Sequence, residues 1–310
     1  MKRYLLFLFA IGLFSTSLQA QQDVRKPVQV FCGASLGYAD NNWLRLYDVQ
    51  LDVLPGVKWR FAPDWLLAVQ ASLPLVSQGW TFEDDRYRFV RLSTAAISRQ
   101  LHFEEARQHL KLSAGLFGSD RWGADVKWMM PVTDWLMLQA QAGYTNNWLL
   151  GFNFKGRGLN TFNTKWVATF QGGARLFLKP WNLELRASGG RYVNEDYGMQ
   201  ADVLTHFRHC SVNLFYQLRM GKRLPSAVDE YTDRSNGGFK IIVMLPPYGK
   251  SKRVEVGCAE LRPASNFRLT NNVRSDGRSM KTYETDPEEN ERQLPIDVKW
   301  GIEEALGQNE

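Results

Sequence analysis

Hydrophobic and polar residues alternate along much of the chain. Leu110, Leu112, Ala114 and Leu116 are separated by polar or small residues, and the same alternation recurs over residues 122–130 and 210–219. A period of two residues is typical of β-strands whose two faces meet different surroundings. Extending this pattern along the chain predicts twelve strands, over residues 28–39, 45–60, 65–77, 87–101, 109–119, 121–131, 135–146, 165–178, 181–193, 197–207, 210–220 and 238–245.

Most of these predicted strands are about 10 to 15 residues long, whereas strands in soluble proteins usually have about 5 or 6. Long strands with one apolar and one polar face are typical of outer-membrane barrels. The sequence therefore predicts an all-β fold, an antiparallel transmembrane β-barrel of about 12 strands (10–14) over residues 21–246. Residues 247–310 are more charged and are predicted to form a polar periplasmic tail. This tail is either solvated or a small extension with a partner of its own.

A repeated turn indicates the orientation of the barrel. Residues 57–67, 126–137 and, more loosely, 174–183 each read as a strand, a tight turn with Pro or Asp, and a tryptophan that opens the next strand. These turns follow the second, sixth and eighth predicted strands, so all three lie on one side of the membrane. With a periplasmic amino terminus that side is the periplasm, where such barrels have short turns. The longer connections then lie outside, over residues 78–86, 147–164 and 221–237.

The first twenty residues have the layout of a signal peptide. Lys2 and Arg3 precede an apolar run of 11 residues over 4–14, and a small or polar stretch ends at Ala20. This order predicts export and cleavage after Ala20. The run is shorter than the roughly 20 apolar residues that span a bilayer as a helix.

Composition narrows the possible partners. Removing Lys2 and Arg3 from the 38 basic residues leaves 36, against 32 acidic residues, so the mature net charge is +4. This mild and dispersed charge predicts no nucleic-acid partner. Cys32, Cys210 and Cys258 lack metal-site spacing, and they are either small apolar residues or one disulfide with a remaining thiol. Eleven tryptophans favour a membrane–water boundary.

Three segments near the carboxyl end resemble a known family. Residues 238–247 (GFKIIVMLPP) resemble the last barrel strand of YjbH-like outer-membrane proteins, and residues 262–267 (RPASNF) and 281–287 (KTYETDP) resemble the segments that follow it. The Asp-Trp-Leu turns are similar to the repeated hairpins of that family. The resemblance implies a barrel linked to secretion of exopolysaccharide or capsule. Its implied partners are outer-membrane lipid, a polysaccharide chain and periplasmic secretion proteins.

The sequence predicts no enzyme and no cofactor or metal site. His102, His109, His206 and His209 have serines nearby, but no motif joins a serine to a histidine base. Metalloprotease, phosphate-loop and calcium-loop motifs are absent from the sequence. A small porin or structural barrel and a lipid-modifying enzyme stay as the alternative functions.

The predicted lumen is the remaining candidate site. Its walls are either a plugged network of charge pairs and hydrogen bonds, or a polar surface that guides a sugar chain. The strand alternation directs nine polar side chains inward: Lys111, Asp125, Lys127, Gln139, Gln141, Gln171, Arg175, Glu184 and Arg186.

Overall fold

A computed structural model describes most of the chain between residues 28 and 286. The described residues are 28–39, 48–79, 82, 87–103, 106–118, 120–133, 135–152, 158–162, 165–207, 210–220, 235–244, 254–256, 259–262, 266–270, 280 and 282–286. The predicted signal peptide, the end of the tail, Asp134, His209 and Cys258 lie outside them.

The described residues form sixteen strands that join in one sheet. The strands are β1 (Val28–Ala39), β2 (Asp48–Ala62), β3 (Trp65–Gln78), β4 (Val90–Phe103), β5 (Gln108–Phe117), β6 (Arg121–Pro131), β7 (Leu136–Phe152), β8 (Gly158–Phe162), β9 (Val167–Leu178), β10 (Leu183–Arg191), β11 (Tyr197–His206), β12 (Cys210–Met220), β13 (Ser235–Met244), β14 (Val254–Val256), β15 (Ala259–Arg262) and β16 (Asn266–Thr270). A short 3-10 turn over Lys179–Trp181 connects β9 to β10. Within the described ranges, no helix has the length and apolar character needed to cross a bilayer.

The all-β prediction is confirmed. Each of the twelve predicted strands has a counterpart, and the ends of most agree within three residues because the alternation stops where the turns begin. β7 is the main exception at its end, since it continues to Phe152 and then pairs with β8, inside a predicted connection.

The sheet also continues past the predicted boundary at residue 246. β14, β15 and β16 lie in the segment that was predicted to be a tail outside the strand ladder. These strands are three, four and five residues long. Such short runs contain too few positions for a period-two pattern to stand out from the charged residues around them.

Strands that follow one another in the chain pair antiparallel from β1 to β7, and again from β9 to β13. β7 and β9 pair antiparallel across the β8 hairpin. β13 pairs antiparallel with β16. β1 pairs with β2 along one side and, in parallel, with β15 and then β16 along the other.

The turns with the repeated sequence connect β2 to β3, β6 to β7 and β9 to β10. Neighbouring strands run in opposite directions and β8 lies off the main strand order, so all three turns lie at the same end of the sheet. The first, at Asp64, accepts a 2.8 Å hydrogen bond from the backbone amide of Gln100. In the second, the Trp135 carbonyl accepts a 2.7 Å bond from the Phe177 amide. These two turns are therefore bonded to a neighbouring strand as well as within their own hairpins. We call this end of the sheet the turn end and the other the loop end.

At the loop end, the long β7 bends over the short β5–β6 hairpin. Its last residues, Gly151 and Phe152, pair with Arg91 and Val90 of β4. The Trp148 amide donates a 2.9 Å bond to the carbonyl of Asp120, which occupies the hairpin turn with a φ of 58°. The predicted strands 109–119 and 121–131 leave Asp120 as a one-residue connection. β7 lies against this connection through the Trp148 bond.

Candidate functional site

One face of the sheet is buried and mixes polar and charged side chains with apolar ones, and the other face is exposed and largely apolar. On β12, Asn213 is 5% exposed, while the adjacent Leu214 is 57% exposed. Gln217 and Arg219 are buried on the same side as Asn213. Successive side chains of a strand point to opposite faces, so the alternation of the sequence becomes a difference between the two faces. This arrangement is the reverse of a soluble protein, whose charged residues are almost never fully buried unless they are paired.

Many polar residues of the buried face have partners on neighbouring strands. Asn213 donates a 3.0 Å bond to Asp202 of β11. Gln217 donates a 2.9 Å bond to Gln200, and Asn236 of β13 donates a 3.2 Å bond to Gln217. The alternation over 210–219 predicts Asn213 on the inner face, opposite Leu214. Four further residues of this network are not among the predicted inward side chains: Gln200, Asp202, Gln217 and Asn236.

The nine predicted residues lie on β5, β6, β7, β9 and β10. Lys111, Asp125 and Glu184 are buried. The other six are half-buried: Lys127, Gln139, Gln141, Gln171, Arg175 and Arg186. One row across four adjacent strands consists of register partners Lys111, Lys127, Gln141 and Gln171.

Glu184 is the centre of a paired group within this set. It is 0% exposed, and its carboxylate accepts a 2.5 Å bond from Nε of Arg186 and lies 3.8 Å from Nη1 of Arg175. Arg175 in turn donates a 2.9 Å bond from Nε to Gln139. Gln141 donates a 3.0 Å bond to Asp125. Both carboxylates of this set therefore have polar partners within the face, as buried charges require.

A segment from the predicted tail packs against this buried face. Met280 and residues 282–286, called here the inner segment, include the buried side chains of Met280, Tyr283, Thr285 and Asp286. Residues 281–287 form one of the family-like segments, but the sequence pattern predicts no contact for them. Nothing in a single sequence connects this short polar stretch to strands more than a hundred residues earlier.

Tyr283 makes the most specific contacts of the inner segment. Its hydroxyl donates a 2.7 Å bond to Oδ1 of Asp125 and lies 3.2 Å from the Thr169 hydroxyl. Its ring stacks on Phe117, with centroids 5.5 Å apart and an interplanar angle of 11°. Burial, together with the negative charge of Asp125, raises the pKa of Tyr283 well above its ordinary range. The phenol is therefore protonated at neutral pH and is the hydrogen-bond donor to Asp125.

Two glycines of the sheet region contact the inner segment. Gly143 of β7 is the register partner of both Asp125 and Thr169, and a Cβ there would overlap the Tyr283 hydroxyl. Gly118, just after β5, donates a 2.9 Å backbone bond to the Glu284 carbonyl. A side chain at Gly143 would exclude Tyr283 from its place on the sheet.

The two ends of the inner segment contact other strands. The Met280 amide donates a 3.2 Å bond to the Gln217 side chain, which donates a 3.1 Å bond back to the Met280 carbonyl. At the other end, Asp286 forms a 2.7 Å ion pair with Lys58 of β2, and both side chains are about nine-tenths buried. The inner segment therefore contacts β12, the β5–β9 region and β2.

Two of the histidines and two of the serines considered for catalysis pair like with like. His102 and His109, opposite each other on β4 and β5, have Nδ1 atoms 2.6 Å apart. Ser98 and Ser113 share a 2.9 Å hydrogen bond. Across the described parts of the chain, no three His, Cys, Asp or Glu side chains are grouped to hold a metal ion. Neither Cys32 nor Cys210 takes part in a disulfide.

The exposed face carries aromatic residues towards both ends. The turn end has exposed Trp59, Phe61, Phe103, Trp135, Trp181 and Phe207. The loop end has exposed Tyr144, Phe152, Phe162, Trp166, Phe170 and Tyr197. There Trp122 contacts Trp148, Phe162 and Trp166, with centroids 5.0 to 6.1 Å apart.

Comparisons with protein-family models, curated proteins and solved structures found no match to this chain.

Proposed function

We propose that the sheet closes on itself as a thirteen-strand barrel inserted in an outer membrane. The pairing order supports closure, since β1 to β7, β9 to β13 and β16 each pair with a strand on both sides. An odd number of strands cannot alternate in direction all the way around a ring. The parallel pair of β1 and β16 is the one that such a ring requires.

The reversed burial of the two faces carries the membrane proposal. An exposed surface of Leu, Val, Ile, Met and aromatic side chains has a large cost in water, whereas lipid favours it. The buried polar face becomes the wall of a lumen. Barrels of the outer membrane have this apolar exterior and polar interior.

The aromatic residues support a membrane position for the exposed face. Tryptophan and tyrosine favour the two membrane–water interfaces, and here they occur towards both ends of the exposed face. Outer-membrane barrels carry such aromatic girdles on either side of an apolar band.

We further propose that this barrel supports secretion of exopolysaccharide or capsule without catalysing a reaction. The support is the resemblance to YjbH-like proteins, together with a buried face that carries many polar and charged side chains. Its partners on this proposal are outer-membrane lipid, a polysaccharide chain and periplasmic secretion proteins. The repeated turns then face the periplasm.

Membrane insertion and secretion need separate tests. Envelope fractionation followed by a carbonate wash tests insertion, and we expect the protein to stay with the membrane. Its release into the soluble fraction would contradict the barrel. Surface glycan measured in a deletion strain tests secretion, and we expect it to fall while the other outer-membrane proteins are unchanged. Unchanged glycan with an inserted barrel would leave a porin or a structural barrel as the function.

A further inference from the structure

The inner segment contacts three widely separated parts of the sheet. Met280 bonds to Gln217 of β12, Tyr283 to Asp125 of β6, and Asp286 to Lys58 of β2. In the strand order, β2 and β6 are four strands apart and β6 and β12 are five apart. If the strands close as proposed, β12 and β2 are four strands apart through β13, β16 and β1. The three contacts are therefore spaced almost evenly around the proposed ring of strands. This spacing places the segment across the lumen, because a segment along one wall would contact only neighbouring strands.

From this placement we infer that the inner segment is an internal plug that closes the lumen to ions and hydrophilic solutes, with the Tyr283–Asp125 bond as its latch. The inference rests on the barrel proposed above. Eight-strand barrels are filled by their own side chains, whereas barrels of 16 strands or more leave an aqueous channel. Thirteen strands lie between these limits, so whatever crosses the lumen decides whether a path remains.

Tyr283 is the anchor with the most specific fit. Its ring stacks on Phe117 and belongs to a buried apolar cluster with Ala96 and Val193, while its hydroxyl reaches the polar wall over Gly143. Truncation to alanine removes the stacked ring and both hydroxyl contacts at once. Release of the inner segment would expose a wall that carries Lys, Asp, Gln and Thr side chains. These side chains solvate ions and sugars better than they solvate apolar molecules.

Conductance measurements on the full-length protein test the plug. The purified protein and its Tyr283→Ala variant are placed in planar bilayers with potassium chloride, and in vesicles whose swelling reports entry of arabinose. We expect low conductance from the unaltered protein and a several-fold rise for Tyr283→Ala. Tyr216→Ala is the matched control, because Tyr216 lies on the exposed face at 53% exposure and should leave conductance unchanged.

A designed disulfide keeps the test decisive if Tyr283→Ala folds poorly. A Cβ at Gly118 would lie 3.8 Å from Cβ of Glu284, which is about the mean separation across disulfides. The pair Gly118→Cys and Glu284→Cys is made in a chain whose Cys32, Cys210 and Cys258 are replaced by serine. Tyr283→Phe, which loses only the hydroxyl contacts, is then added. We expect this protein to be closed when oxidised and to conduct when reduced.

The outcomes separate failure of the plug from failure of the barrel. Vesicle flotation is scored first for every variant. An unaltered protein that does not float with vesicles contradicts the barrel, whereas a Tyr283→Ala variant that does not float is replaced by the disulfide variant. An inserted Tyr283→Ala barrel that conducts no more than the unaltered protein overturns the plug, as does a disulfide-locked barrel that conducts equally when oxidised and reduced.

Discussion

The hydroxyl of Tyr283 donates a 2.7 Å hydrogen bond to the carboxylate of Asp125, 158 residues earlier in the chain. This contact connects a segment beyond the last strand to the middle of β6. Asp125 also accepts a bond from Gln141, so the carboxylate is held by a neighbouring strand as well as by the tyrosine. The contact needs a protonated phenol as its donor. Burial keeps the phenol protonated by raising the pKa of Tyr283.

Alkaline conditions should therefore release the inner segment. A tyrosine with a raised pKa in the folded protein binds its proton more tightly than in the released segment. The docking free energy is fully present below the ordinary value of 10.0 and falls as pH rises above it. The expected loss is about 1.4 kcal/mol per pH unit. Maleimide labelling of Thr285→Cys, a buried position, in a cysteine-free chain measures the release.

Tyr283→Phe is the control for this pH dependence. Phenylalanine loses the bonds to Asp125 and Thr169 and has no ionisable group, so labelling should be faster at neutral pH and should no longer increase in alkali. The other tyrosines are unchanged in this variant, so any alkaline increase in labelling that remains comes from groups other than Tyr283. Equal pH profiles for the two proteins would contradict the role assigned to the Tyr283 proton.

Gly143→Ala should displace Tyr283 at neutral pH. The new methyl group overlaps the Tyr283 hydroxyl, so the ring has to move and its bonds to Asp125 and Thr169 are lost. The expected cost to docking is about 1 to 3 kcal/mol. Faster labelling of Thr285→Cys would report it. Gly172→Ala is the matched control, since no atom lies within 4 Å of a Cβ there. Similar labelling rates in both variants would show that Gly143 does not provide the room for Tyr283.

The strands were predictable from sequence because period-two alternation is local. β1 has its predicted bounds, and β6 and β12 do too, since each is long enough to show the pattern clearly. The same pattern identified Asp125 and Glu184 as residues on the polar side. Their partners on neighbouring strands required the register, which depends on turns and bulges that alternation does not encode.

The tail could not be predicted in this way. β16 is only five residues long, and its pairing with β1 joins residues more than 200 positions apart. The position of Tyr283 depends on the absence of a side chain at Gly143, on another strand. Neither relationship leaves a periodic signal in the chain.

Deletion of residues 259–310 should abolish insertion, whereas deletion of residues 287–310 should not. The first deletion removes β15 and β16, which pair with β1 and β13. Unpaired backbone groups facing lipid cost several kcal/mol each. Heat-modifiable gel mobility after refolding into vesicles measures the folded fraction. Normal folding without residues 259–270 would mean that β1 and β13 do not need the strand between them.

The two faces of β12 offer a final comparison, at adjacent positions with opposite surroundings. Leu214 is exposed on the apolar face near the middle of the strand, while Asn213 is buried and bonded to Asp202. In a membrane, Leu214→Arg would place a charge in hydrocarbon near the midplane, at a cost of roughly 2 to 4 kcal/mol.

Asn213→Arg instead places the same charge beside the carboxylate of Asp202, inside a polar lumen. We therefore expect Leu214→Arg to lower the folded fraction in lipid vesicles much more than Asn213→Arg. If the protein were instead soluble, Asn213→Arg should lower the folded fraction more than Leu214→Arg. A charge on a solvent-exposed face is tolerated, whereas a bulkier side chain on a buried face is not. The ratio of folded fractions in vesicles thus tests the membrane directly. A larger loss for Asn213→Arg would indicate a sheet whose apolar face is covered by something other than lipid.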